Sequence, residues 1–308
     1  MPRSFARIFP MLVVILFCGA CAQVQNIRVE PRQGFSEAPV VDRDYWKKGA
    51  IALKGGAQTV FGRQCETLLL QTLIETIGSE ADRLRLLSPE DNRSPDFMKL
   101  ADPFADPRSA FEFHKRARMQ GFHCLMQASV LDIRPVEKKK GFWWFRGTKY
   151  YLNVVVSLDL YDTFTAAKIS SQVMEALVKI NASTHENFMA GMPDNIEAVD
   201  EAIVDMAEEM GELAAEQIDA GRWMAMVAEV QGRQVRLAAD GDSGLEQGDR
   251  LAVFEGRRIV DGLNGERFIV PGYKLADVEI VAVGADGATA QTEAPVDIQP
   301  GDIAIPAK

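Results

Sequence analysis

Apolar residues recur along this chain with three spacings, and each spacing predicts a different kind of element. Ile8 to Ala22 is one nearly continuous apolar run, interrupted by Pro10 and shorter than the ~18 to 20 residues a spanning helix needs. From Thr59 to Glu80, Phe61, Cys65, Leu68, Leu69 and Leu73 recur at helical spacing, which predicts a helix with one apolar face. A short strand at Arg85–Leu87 and a helix over about Pro107–Met119 follow, with Gly121 as its stop.

The spacing then falls to two. Cys124, Met126, Ala128 and Val130 recur at every second position, and Leu152, Val154, Val156, Leu158 and Leu160 do so with Asn153, Ser157 and Asp159 between them. These segments predict strands with one buried face. A third strand, Lys168–Ile180, follows the turn Asp162-Thr163-Phe164-Thr165. Pro193 to Asp219 reads as one long helix, with Ile196, Val199, Ile203, Met206, Met210 and Leu213 on a single stripe. No Lys or Arg lies between Lys179 and Arg222, so the opposite face of that helix is acidic and solvated.

From Trp223 the chain changes to short strands broken by glycine turns, at Met224–Val230, Gln234–Ala238, Arg250–Phe254, Arg267–Val270, Ala276–Val283 and Ala288–Thr292. This is the spacing of a small β-barrel. Two similar turns punctuate it, each with an apolar residue, two spacers, Gly and Asp before a strand: Leu245 to Gly248 and Asp249, and Ile298 to Gly301 and Asp302. Gly244 opens the first. The glycines permit positive φ and each Asp is placed to bond back to turn amides. The predicted fold class is α+β: a mixed α/β sandwich domain, helices on one sheet, over 45–221, then a small all-β barrel domain over 222–308. Residues 1–20 read as a signal peptide and 21–44 as a lipidated tether with an extended reach on the order of 60 to 70 Å.

Arg3 and Arg7 before the apolar run, and small residues before Cys21, make a secretory signal whose Cys21 receives a lipid. Cys18 is a poorer acceptor, because bulky Phe17 precedes it. Ala22 after the cysteine directs such a protein to the outer membrane, on its periplasmic face. Ala20-Cys21-Ala22 also fits ordinary signal cleavage, which would leave a soluble periplasmic protein. Cleavage before Cys21 leaves 32 basic against 44 acidic residues, a net charge of −12. That surface repels nucleic acid and anionic headgroups, so nucleic acid is not an expected partner.

Cys65 and Cys124 remain in the body, and both readings point them into one helix-on-sheet core in an oxidising compartment, so a disulfide between them is one expectation and two buried free thiols are the other. Catalysis has no visible apparatus. Gly241-Asp242-Ser243-Gly244 repeats part of a serine-nucleophile loop, but His114, His123 and His185 all lie in the other predicted domain. The acidic residues around Asp249 miss the calcium-loop spacing, with Leu251 where a bidentate Glu is required. No metal-binding His or Cys pair and no phosphate-cradling loop is present. No enzyme, metal or cofactor is expected.

One segment stands apart. Lys138, Lys139, Lys140, Phe142, Trp143, Trp144, Phe145 and Arg146 fall between two predicted adjacent strands, so four consecutive aromatics bracketed by cations occupy a hairpin tip. Such a tip suits contact with a partner or a membrane interface; packing back onto the body is the alternative. The loop is too short to supply strands of ~9 to 11 residues each across a bilayer.

Ala117 to Val130 resembles the helix, glycine and strand of envelope proteins with an anticodon-binding-like α/β domain: the Tol-Pal translocation protein's amino-terminal domain, the curli secretion lipoprotein and the middle domain of flagellar assembly protein T. Leu158 to Ile169 is similar to their strand, Asp turn and strand, with Ala166 where Gly is usual. Val230–Ala238, Gly244–Val253, Lys274–Val281 and Ile298–Ile305 follow the order at the end of flagellar assembly protein T. The resemblance implies a non-enzymatic scaffold or assembly factor associated with a flagellar motor. Its partners would be other envelope or flagellar basal-body proteins, with a homo-oligomeric ring as a further possibility and the membrane reached through the lipid. A soluble periplasmic accessory protein is the second reading and an envelope hydrolase the third.

Overall fold

The structure, a computed structural model, describes residues 33–39, 44–57, 59–88, 91, 104, 106–140, 147–192, 196–294 and 296–307. Cys21, the signal and most of the tether lie outside the described residues. Residues Gly34–Lys308 form one compact unit.

The first half is a five-stranded sheet of order β2-β1-β3-β4-β5, built from β1 (Lys47–Leu53), β2 (Leu84–Leu87), β3 (Cys124–Lys140), β4 (Gly147–Asp162) and β5 (Ala167–Ile180). β1 runs parallel to both its neighbours, and the remaining pairs are antiparallel. Helices α1 (Val60–Glu80) and α4 (Glu197–Ala220) lie on one face, where Leu69, Leu73, Ile203 and Met210 meet Ile51, Met126, Val154 and Leu158. They come together at Gly211, where a Cβ would lie 2.8 Å from the side chain of Thr76. Helix α2 (Pro107–Met119) covers the other face near the start of β3, through Phe113 and Ala117, which pack with Phe122 of the following turn against Ala50 and Leu125. Its start is set by Asp106, which accepts hydrogen bonds from Arg108 N and Ser109 N, with Pro107 in the first turn.

The second half is a closed six-stranded barrel, in the order β11-β12-β7-β6-β13-β8. Its strands are β6 (Ala225–Gln231), β7 (Gln234–Leu237), β8 (Arg250–Phe254), β11 (Lys274–Gly284), β12 (Gly287–Thr292) and β13 (Ile303–Pro306). Val227, Leu237, Leu251, Val253, Ile280 and Ala304 fill it, with Tyr45 and Trp223, whose rings lie 4.8 Å apart. The mixed α/β sandwich followed by a barrel is the fold class the sequence predicts.

Several elements differ from the sequence reading. β1 was not predicted, because Lys47-Lys48-Gly49-Ala50-Ile51-Ala52-Leu53 has low strand propensity and owes its form to a parallel neighbour on each side. Helix α3 (Ala182–Met189), capped by Asn181 through Thr184 N, was also missed. Within α4 the buried stripe runs through Val199, Ile203, Met206 and Met210 and then turns to Ala214 and Ile218, leaving Leu213 41% exposed. A 3.5-residue repeat drifts around a straight helix of 3.6 residues per turn, so the last predicted position leaves the core. Arg267–Val270 is not a barrel strand: as β10 it pairs with β9 (Arg258–Asp261) in a separate two-stranded sheet. Of the expected tether, Gly34–Ala38 lies on the barrel. Phe35 packs edge-on against Phe254, its amide bonds Gly272 O, and Arg222 donates to its carbonyl.

Candidate functional site

The expected contact loop sits where β3 and β4 outrun the rest of the sheet. β1 accompanies β3 only from Cys124 to Ala128, and β5 accompanies β4 only as far as the Tyr150–Ile180 pair. Beyond that, Lys138 pairs with Lys149, Lys139 with Thr148 and Lys140 with Gly147 as a two-stranded ribbon. A β-bulge between Val130 and Asp132 leaves Leu131 unpaired just past Ala128, the last residue of β3 that β1 accompanies. Lys138 and Lys149 face each other directly, an unfavourable pairing within the ladder, and Lys138 Nζ rests 5.4 Å from the centre of the Tyr151 ring. Helix α3 braces the stem: His185 lies 4.5 Å from the Tyr150 ring and 3.7 Å from Glu137 Oε1, and Phe188 meets Phe61. Phe142, Trp143, Trp144, Phe145 and Arg146, and the side chain of Lys140, lie outside the described residues.

The second feature is a cleft of about 420 Å³ between the sheet and the barrel, bordered by Lys47, Lys48, Arg85, His123, Asp242 and Ser243. Lys47, Lys48, Arg85 and Asp242 are held by partners within the protein. Lys47 Nζ caps the carboxy-terminal end of α4 through the carbonyls of Ile218 and Gly221, and its pKa is lowered chiefly by burial. Arg85 pairs with Asp242, which holds its pKa up. Lys48 Nζ donates to Gln120 O and lies 4.6 Å from the Phe122 ring.

Here the fold brings His123 and Ser243 to one cleft, which their separation in sequence did not suggest. They do not form a nucleophile and base. Ser243 Oγ donates to Asp240 O at 2.6 Å within a short 3-10 turn. His123 accepts the Lys48 amide at Nδ1, at 3.2 Å, and lies beside the rings of Phe164 and Trp223. Burial, reinforced by Lys47, lowers its pKa to about 3, far below what a general base near neutral pH requires. Among the described residues, no group of three or more His, Cys, Asp or Glu is placed to hold a metal ion.

The expected disulfide is not formed: Cys65 and Cys124 are both buried free thiols of one core. The reason is direction. Helix α1 returns antiparallel to β1, so Cys65, in its second turn, lies toward the far end of that strand, whereas Cys124 pairs with Gly49 near its start. Burial pushes both thiols up to about 12, so they are protonated and unreactive.

The two similar turns hold their strands by the same bond. Glu246 N donates to Asp249 at 2.9 Å, and Gln299 N to Asp302 at 2.8 Å, while Gly244, Gly248 and Gly301 have φ of 79°, 95° and 97°. Asp302 also accepts from Gly256 N and Arg257 Nε. Buried Arg118, from α2, reaches across to Gly301 O and Phe164 O, so this turn joins the barrel to the sheet; burial lowers the Arg118 pKa to about 10. Arg118 and Lys47 were not singled out from the sequence, and His123 was weighed only as a partner for the serine and set aside. The one local signal was a basic residue in the last turn of a helix.

No protein-family model matches the chain, and no curated protein matches it. Among solved structures it is similar to a minor lipoprotein from Acinetobacter baumannii, at 14% identity and a TM-score of 0.30, over 56% of this chain and 95% of that one. A PelC dodecamer from Paraburkholderia phytofirmans matches at 13% identity and 0.29, over 58% and 92%. A lipoprotein from Neisseria meningitidis matches at 10% identity and 0.29, over 47% and 94%. Likeness at these scores carries no argument about function or assembly. No helix among the described residues is long and apolar enough to cross a membrane.

Proposed function

We propose that this chain is a non-enzymatic, lipid-anchored envelope protein that holds a partner protein of the envelope through the β3–β4 hairpin. The observation that carries the reading is the exposed ribbon of Lys138, Lys139 and Lys149, which outruns both neighbouring strands in a chain whose body is strongly acidic. Concentrated cations on an acidic protein favour an acidic partner surface over self-contact with the same arm, and they speed the encounter. The aromatics at the tip would add the anchoring contacts that hot spots use. Engagement of Lys47, Lys48 and Arg85 by internal partners argues against a second site for a small anion there.

Anchorage at Cys21 on the periplasmic face of the outer membrane is supported by the signal pattern alone. The soluble alternative is favoured by one specific observation, Ala20-Cys21-Ala22, and the mass of the mature amino terminus separates the two. A diacylglycerol mass on Cys21 supports the anchor; a start at Gln23 overturns it. The finer assignment, to a flagellar motor with basal-body partners, rests on the resemblance of the carboxy-terminal half, and a deletion strain with normal flagella and motility would sink it.

The contact itself is tested by K138E/K139E and W143A/W144A variants in cross-linking from intact cells. Loss of a cross-linked partner with an unchanged melting temperature supports the reading. An unchanged cross-link, or a lowered melting temperature for W143A/W144A, moves the hairpin from contact to internal packing.

A further inference from the structure

The five-stranded sheet has two unlike edges. β2 is only four residues long, whereas β5 pairs with β4 on one side and, among the described residues, with no strand on the other over fourteen residues. Long edge strands are normally protected by proline, a bulge, short length or inward charge, because a free row of amides and carbonyls recruits another strand. β5 has no proline, and its one bulge, at Ile169, lies near its start; Ser170–Ile180 then pairs with β4 without interruption. The strand also exposes apolar side chains: Val173 is 62% exposed, Ile169 51% and Leu177 41%.

We infer that two copies of this chain pair edge to edge through antiparallel β5 strands, on a two-fold axis at Val173. The spacing of the exposed residues selects that register. With Val173 opposite Val173 of the second copy, Leu177 meets Ile169, Ser171 meets Glu175 and Lys179 meets Ala167. The apolar residues then cover one another and no like charges are opposed. Moving the axis to Glu175 sets that carboxylate against its own copy. Moving it to Met174 sets Val173 against Glu175 and Ile169 against Lys179.

A second observation falls on the same axis. Gln172 Oε1 is buried with no hydrogen-bond partner among the described residues. In the Val173-centred register, Gln172 of the second copy is its diagonal neighbour, within reach of a long side chain, and its amide can donate to that oxygen. Such an interface is isologous and closes as a dimer. It is separate from the hairpin reading, since the ribbon beyond Tyr150 has no β5 alongside it and remains free.

The register is tested by in-cell disulfide trapping of the full chain, with the unsubstituted chain as background. Facing residues of an antiparallel pair have Cα atoms ~4.5 to 5.5 Å apart, inside disulfide reach. Val173→Cys is expected to give a dimer band for most of the protein. Ser171→Cys alone should give none, and Ser171→Cys co-expressed with Glu175→Cys should restore the band. Equal trapping of both single variants would mean unregistered collision and would overturn the register. No trapping of Val173→Cys, in protein whose melting temperature is unchanged, would overturn the dimer. In light scattering, Val173→Lys is expected to halve the molar mass of the purified full chain; a mass that is monomeric before the substitution overturns the inference as well. None of these outcomes depends on hairpin binding.

Discussion

The turns at 244–249 and 297–302 share a sequence pattern and an Asp-to-amide bond, yet they carry different loads. Asp249 is only partly buried and takes the amide of Glu246. Asp302 is fully buried and gathers Gly256 N, Arg257 Nε and Gln299 N, while Arg118 holds the adjoining Gly301 carbonyl. One turn leads from β7 into β8, two barrel strands that do not pair with each other; the other fastens the barrel to the sheet. A local motif therefore sets the bond, and the neighbours brought up by the fold set its weight.

The largest test is Asp302→Ala. It leaves two amides and a guanidinium without their acceptor, so a loss of about 3 kcal/mol or more is expected in denaturant unfolding. Asp249→Ala should cost about 1 kcal/mol. Equal losses would break the comparison.

Acid probes the sheet half, where all three histidines lie. Burial lowers the pKa of His114 to about 4, and burial with Lys47 lowers that of His123 to about 3, against 6.5 for a free imidazole. Below pH 6.5 the unfolded chain binds protons that the folded one refuses, so stability is complete above pH 6.5 and is lost as pH falls toward 3 to 4. Between pH 7 and 5 the loss should be up to about 2 kcal/mol per imidazole. Melting curves across that range should be distinctly flatter for His114→Phe; an unchanged slope would remove His114 from the account.

Glycine substitution separates the turns again. Gly248→Ala meets nothing within 4 Å and should cost only the left-handed strain, about 1 kcal/mol. Gly301→Ala adds contact with Arg257 Cγ at 3.4 Å and should cost more, about 2 kcal/mol. The smallest effect is expected at Ala166, the one described non-glycine residue with positive φ, at 58°. Ala166→Gly relieves that strain but removes a methyl buried among Phe111 and Ile269, so the net change should stay within about 1 kcal/mol. A larger loss would show that packing, not backbone strain, governs the β4–β5 turn.

Much of the chain was legible. The helix ends at Pro107–Met119, the alternation of β4, the edges of β8 and the glycine turns all follow from spacing and turn chemistry, which act within a few residues. β1 was not legible, since two lysines, a glycine and two alanines acquire a strand's form only when β2 and β3 close on both sides. Nor was the cleft, because His123 and Ser243 are 120 residues apart and meet only when the barrel docks. Ala166 is the instructive middle case: its departure from the usual glycine was visible, but its left-handed conformation belongs to the folded turn.

By itself the sequence determined the local elements, the net acidic charge and the order of an α/β layer before a barrel, because periodicity, capping and charge are properties of neighbours in the chain. Only the tertiary structure decided that β1 sits inside the sheet, that Cys65 and Cys124 are buried free thiols, that Asp302 gathers more partners than the Asp249 turn shows and that β5 has no second strand beside it among the described residues. Each of those depends on burial and pairing between residues far apart in sequence, and no local pattern encodes the direction in which a distant element arrives.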